Sequence, residues 1–170
     1  MHGVRHGPLL QRARRGAGDG TAAALGSTGP KLLVKRAVVV VIRRGDRVLV
    51  IRRGATTPGS GHWAPLAGKL EVGEDEAQAV RREALEEVGL HVRPIRRAWQ
   101  STSFDGRHEL SWWLAEASGG TLRPDPREVA VTRWIRPEEF AALSPIFPGD
   151  LPFFDEVIGE LGSGSAEEGK

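Results

Sequence analysis

The chain has no cysteine, which excludes disulfides, thiolate metal ligands and a cysteine nucleophile. It also lacks any apolar run long enough to cross a bilayer, so no membrane partner is expected. Nothing at the N-terminus resembles the apolar core of a secretion signal. Together these absences lead us to expect a cytoplasmic protein. Acidic residues are scarce only at one end, where Arg5, Arg12, Arg14 and Arg15 stand against Asp19 alone. The pI near 9.5 therefore reflects residues 1 to 30, and the body is close to neutral. That basic end contains no aromatic residue on which bases could stack, which argues against nucleic acid as a partner.

Residues 1 to 30 are rich in Gly, Ala and Arg, without periodicity, and read as a disordered tail. Their shortage of acids also fits a transit segment, and a start assigned too far upstream would explain them equally well. Deleting residues 1 to 30 is expected to leave turnover intact, as a rate comparison of the truncated and full chains would show. At 170 residues we expect one domain, over residues 31 to 161, and a second disordered tail over 162 to 170.

Lys31 to Arg53 reads as two β-branched strands joined at Gly45-Asp46. Residues 54 to 61, GATTPGSG, read as a flexible loop bounded by Arg52, Arg53 and His62, three side chains able to meet phosphate or base. A short strand over HWAPLAGKLE follows. Pro94 precedes two further strands, approximately Ile95 to Thr102 and Glu109 to Glu116, joined by a polar turn. Trp112 and Trp113 are adjacent, so in a strand only one of them faces any given cavity; Trp113 is assigned to the substrate side. A strand over Val129 to Ile135, a helix from Pro137 to about Leu143 and a final helix over Pro148 to Leu161 complete an α+β order with no internal repeat.

The stretch Gly68 to Leu90, GKLEVGEDEAQAVRREALEEVGL, carries the chemistry. Ala77, Val80, Ala84, Leu85 and Val88 recur with helical period, giving one face for a core, and Gly89 stands where a left-handed stop is wanted. The spacing predicts a helix from about Glu74 to Val88. Glu83, Glu86 and Glu87 then share one stripe at i, i+3 and i+4. Like charges so placed repel, which a hard cation such as Mg²⁺ or Mn²⁺ would offset. A solvated acidic face, partly neutralised by Arg81 and Arg82, is the second reading.

Gly68, then Glu74, then Arg82-Glu83-Ala84-Leu85-Glu86-Glu87-Val88-Gly89-Leu90 resembles the box of the Nudix hydrolase family, G-x5-E-x7-R-E-U-x-E-E-x-G-U with U aliphatic, at every fixed position. The resemblance implies an α/β/α sandwich around a mixed sheet, and divalent-metal-dependent hydrolysis of the pyrophosphate bond in a nucleoside diphosphate linked to another moiety. It further implies Glu83, Glu86 and Glu87 as metal ligands, with a backbone carbonyl near Ala67 or Gly68 beside them. Gly68, Glu74, Arg82 and Gly89 would order the box, with Arg82 pairing Glu74. The general base would be a box glutamate, Glu83 or Glu87, or a downstream acid, for which Glu128 is the candidate; a plain solvated glutamate is its other reading. A homodimer is common among relatives.

For substrate, the chain has no tyrosine as the diadenosine-polyphosphate type would need, and no SQPWPFPxS-like NADH motif. FDGRHELSWWLAE is similar to the region after the box in MutT-type enzymes, which favours a (d)NTP or a nucleotide-sugar-like diphosphate. The alternative from another class is a non-catalytic Nudix domain that senses a nucleotide.

Overall fold

The valines at 38 to 41 dictate the layering. Neighbours in a strand point to opposite faces, so β1 (Lys35–Arg44) sends Val38, Val40 and Ile42 to one side and Val39 and Val41 to the other. Both sets are buried, which places β1 at the centre of a sheet covered on both faces. The structure, a computed structural model, describes residues 34–162. The expectations for the two tails lie outside those residues, apart from Gly162.

After β1 come β2 (Arg47–Arg53), β3 (Trp63–Ala64), β4 (Leu66–Lys69), α1 (Glu76–Val88), β5 (Leu90–Thr102), β6 (His108–Gly120) and β7 (Val129–Ile135). Two 3-10 helices, Pro137–Ala142 and Pro148–Asp150, lead into α2 (Leu151–Gly162). The seven strands form one sheet in the order β3-β2-β1-β6-β5, with β4 also on β1 and β7 on β2. It is mixed: β1 runs parallel to β6 and antiparallel to β2 and β4.

One face packs Val38, Val40, Ile42, Leu49 and Ile51 against Ala79, Val80, Ala84 and Val88 of α1. The other packs Val39, Val41 and Val50 against Phe140 and the α2 residues Phe153, Phe154 and Val157. Helical layers thus cover both faces of a mixed sheet, as expected. Among the described residues no helix is long and apolar enough to cross a membrane.

Three local expectations need correction. The helix begins at Glu76, two residues late, because Asp75 caps it. Its carboxylate accepts the Gln78 amide at 2.8 Å, and the Gln78 side chain accepts the Asp75 amide at 2.9 Å, a reciprocal pair that satisfies two orphan donors. Leu85, expected in the core, is exposed, while Ala79 is buried. Finally, β5 starts at Leu90 rather than near Ile95 and runs through Pro94. It is an edge strand whose register shifts between Pro94 and Arg96, a place where a missing amide is tolerated.

Candidate active site

The buried arc of α1 comprises Ala79, Val80, Glu83, Ala84, Glu87 and Val88. Two of its members are glutamates, one turn apart, with only 7% and 4% of their surface exposed. Burial pushes both carboxyls above their usual range; Arg82 pulls Glu83 back. For Glu87 the charges of Glu83 and Glu128 add to burial, and Arg53 opposes them. A charge held in low dielectric is costly unless a counter-charge meets it. The all-oxygen donor set is that of a hard divalent cation, which would supply the missing charge. The residues present therefore fit such an ion.

Convergence of three glutamates is not what the structure contains. Glu86 falls about 60° around the helix from Glu83, on its outer side. It is exposed, and it accepts from Arg82 Nη1 at 3.2 Å. Among the described residues no three carboxylate or imidazole side chains form a ready metal cage. Glu83 and Glu87 make the pair, and Glu86 stands at its edge.

Arg82 organises the box from beneath. Its Nε and Nη2 donate to the two oxygens of Glu74 at 2.7 and 2.9 Å, and Nη2 also reaches the Lys69 carbonyl at 2.9 Å. Nη1 donates to Glu83 at 2.7 Å. The expected Arg82–Glu74 pairing is present, and it ties the loop before α1 to β4. A lysine has no planar fork to make these bonds together. Arg82→Lys is expected to cost about 2–3 kcal/mol of stability, measured by denaturant unfolding.

Gly89 closes α1 with φ 74°. A Cβ there would also come within 2.7 Å of the Thr121 carbonyl. Just beyond, Arg123 and Asp125 donate their amides to the carbonyls of Val88 and Glu87 at 2.7 and 2.8 Å, so the 121–128 segment caps the helix end. This brings Glu128 to the site. Its side chain is exposed, yet close enough for its charge to act on Glu87 and Arg53.

Arg53 faces the same point from β2, with Glu87, Glu128 and Asp150 as its carboxyl neighbours; burial lowers its pKa and those charges raise it. Its Nε donates to the Pro58 carbonyl at 2.7 Å. Arg52 does not join it. Adjacent strand residues diverge, and Arg52 is exposed with its Nε 3.2 Å from the Gly61 carbonyl. These bonds, with Thr56 Oγ1 to the Arg127 carbonyl at 2.9 Å, pin the 54–61 loop that the sequence marks as flexible.

On the α2 side of the sheet lies a cavity of about 290 Å³, lined by neither Glu83 nor Glu87 but sharing Gly68 and Arg53 with their surroundings. Its lining includes the polar Arg53, Gly68 and Lys69 and the apolar Val39, Phe104 and Trp112. Phe147 closes it, with His62 stacked on one side at 4.5 Å and Phe104 at 4.9 Å. His62 thus backs the rim. Trp113 is on the wrong face: it packs with the α1 layer, and its Nε1 donates to Glu76 at 2.8 Å. Trp112 is the tryptophan that meets the cavity. Adjacency showed that the two diverge but not which way the strand was turned.

Three residues escaped the sequence reading. Trp112 is one. Glu76 is another, a nearly buried acid holding α1 to the sheet through Ser111 Oγ at 3.0 Å, Trp113 and Arg36. Burial alone would raise its pKa, but those bonds and Arg36 and Arg97 bring it below the usual value. Its place in the first helical turn was the available signal. The third is Asp150, at the end of the second 3-10 helix, for which no local pattern exists.

Comparison with known proteins agrees with this fold. The family model for the NUDIX domain matches residues 33–157. The chain is 38% identical over 115 residues to the NAD-capped RNA hydrolase NudC of Yersinia enterocolitica. That alignment covers 67% of this chain but only 42% of the relative. Among solved structures, the MutT protein from Methanosarcina mazei Go1 is similar in fold, with TM-score 0.64 at 19% identity over 74% of this chain and 94% of that one. The Ap4A hydrolase of C. elegans gives 0.62 at 20% identity, over 74% of this chain and 98% of that one.

Proposed function

The chain belongs to the Nudix family, and from that premise we propose that it hydrolyses the pyrophosphate bond of a nucleoside diphosphate linked to another moiety, with a (d)NTP as the favoured substrate. The observation that carries the reading is the buried Glu83–Glu87 pair, set against Gly68 and next to a cavity with aromatic walls. Glu83 and Glu87, with Glu86 at the edge, would hold Mg²⁺ or Mn²⁺. Bound there, the ion supplies charge neutralisation for the phosphates and a lowered pKa for the attacking water. Arg53, poised between Glu87 and the cavity, binds a phosphate oxygen. A carboxylate accepts the proton of the water as its oxygen bonds to phosphorus and the bridging P–O bond breaks. Glu128 suits that role because it is exposed yet adjacent to Glu87. Gly68, Glu74, Arg82 and Gly89 hold the frame. A single domain with a cytoplasmic location accompanies this reading.

The name of the Yersinia relatives, NAD-capped RNA hydrolases that contain much more chain than this one, supports a second substrate. An NAD-capped RNA end is itself a nucleoside diphosphate derivative, so the exclusion of nucleic acid based on the basic tail does not reach it. The sensing alternative predicts nucleotide binding without turnover. The test is a screen with added Mg²⁺ or Mn²⁺ of (d)NTPs, nucleotide sugars, NAD and NAD-capped RNA, following release of phosphate or nucleoside monophosphate. Turnover of one class supports the hydrolase; binding with no release from any would establish the sensor instead.

A further inference from the structure

Glu128 owes its place to a neighbour that has no side chain. Gly54, buried just past the end of β2, donates its amide to the Glu128 carbonyl at 2.7 Å. A Cβ on Gly54 would stand 2.8 Å from the Arg127 carbonyl oxygen, and 3.0 and 3.1 Å from the carbonyl carbon and oxygen of Glu128. All three are main-chain atoms, so no side chain could swing aside to make room. Gly54 lies outside the left-handed region, and alanine is therefore opposed there by contact and not by conformation. Two segments distant in sequence meet because one of them is bare backbone.

The contact is braced from both sides. On the β2 side, Thr57 closes a turn on the Gly54 carbonyl through its amide at 3.2 Å and its hydroxyl at 2.9 Å. Thr56 Oγ1 reaches across to the Arg127 carbonyl at 2.9 Å. On the other side, the Glu128 amide donates to the Asp125 carbonyl at 3.0 Å, and the Asp125 amide to the Glu87 carbonyl at 2.8 Å. Immediately after Glu128, Val129 pairs with Arg53 in the sheet. The main chain at Glu128 is thus anchored both to the helix that carries Glu87 and to the strand that carries Arg53, the two charges on which its carboxylate acts.

An exposed glutamate has several rotatable bonds, so where its carboxylate can reach is decided by where its Cα stands. A base must come within hydrogen-bond reach of its proton, and a misplacement of about 1 Å costs on the order of 10²-fold in rate. We propose that Gly54 is a positioning residue: its missing side chain lets the 125–128 turn close on the end of β2 and so holds Glu128 beside Glu87, with Thr56 latching the same contact. This deepens the hydrolase reading and rests on it, and on Glu128 as the proton acceptor. The effect of Gly54 runs through Glu128, and belongs in kcat rather than KM.

The test measures kcat and KM of the full chain with Mg²⁺, on the substrate that wild type cleaves fastest among (d)NTPs, nucleotide sugars, NAD and NAD-capped RNA. Gly54→Ala, Glu128→Gln and the double variant form a cycle. Glu128→Gln should lower kcat by about 10²-fold or more, and Gly54→Ala by at least about tenfold with KM within about twofold. In the Glu128→Gln background, Gly54→Ala should add less than about twofold. Losses that multiply, or a Gly54→Ala with wild-type kcat, would overturn the positioning role while leaving Glu128 its chemistry. A Glu128→Gln that turns over like wild type would instead remove the proton acceptor, and a wild type that cleaves nothing would remove the hydrolase; either takes this role with it. Should Gly54→Ala fail to fold, Thr56 carries the comparison. Thr56→Val is expected to lower kcat about threefold, with no further loss in the Glu128→Gln background, while Thr56→Ser keeps the hydroxyl and the rate. Equal rates in Thr56→Val and Thr56→Ser would then overturn the proposal.

Discussion

Glu87→Gln is expected to cut turnover by orders of magnitude and, in the metal-free protein, to raise stability. The two effects have one cause. Glu87 is 4% exposed, with Glu83 and Glu128 close enough to oppose its ionisation and only Arg53 to favour it. Its pKa is higher in the folded chain than in the unfolded one, so between those values the folded state binds more protons and stability falls as pH rises. Below the unfolded value of roughly 4.3 the penalty is absent. Glutamine has nearly the same shape and never ionises. Its advantage should be nil in acid and reach on the order of 1 kcal/mol or more at neutral pH, read as a widening gap between thermal midpoints. Catalysis moves the other way. A held metal ion is worth several kcal/mol of transition-state stabilisation, and each ~1.4 kcal/mol is tenfold in rate, so kcat should fall by about 10²–10⁴. A variant as active as wild type, or one that melts earlier at pH 8, would refute this account of the site.

That trade also explains which features were legible in the sequence. The box motif gave the family, the helix and the roles of Arg82 and Glu74, because these depend on spacing along one helix and one turn. The buried face was misjudged because apolar residues were counted as the inward ones. Leu85 is exposed and Glu83 and Glu87 are buried, an inversion that stability alone would not select and that substrate chemistry does. Strand pairs hid a different fact. Arg52 and Arg53, like Trp112 and Trp113, must diverge, but which member faces the cavity depends on where the sheet places the strand between its two layers. Asp150 required more, since the 3-10 turn Pro148–Asp150 reaches the cavity only after the chain has crossed β7 and the first 3-10 helix. No local pattern carries that approach.

Gly68→Ala is expected to damage the enzyme while barely affecting the fold. Nothing in the backbone forbids the substitution, for the position does not require the left-handed conformation that Gly89 adopts. What forbids it is space. A Cβ at residue 68 would overlap the carboxyl group of Glu83, whose atoms are the three nearest to it. Because the obstructing atoms are the end of a flexible side chain, the conflict resolves by swinging that carboxyl away. Glu83 is then lost from its place beside Glu87, and its bond to Arg82 Nη1 is strained or broken. The stability cost should stay near that of one charge-assisted hydrogen bond, about 1.5–3 kcal/mol at most. Relief of the Glu83–Glu87 repulsion would offset part of it. Displacing a reacting or ligating group by about 1 Å costs on the order of 10²-fold, so kcat/KM should fall at least that far. Weaker metal dependence of the thermal midpoint should accompany the fall. Near-wild-type turnover in a well-folded Gly68→Ala would mean that Glu83 does not act from the place it occupies against β4, and that the pairing with Glu87 is incidental.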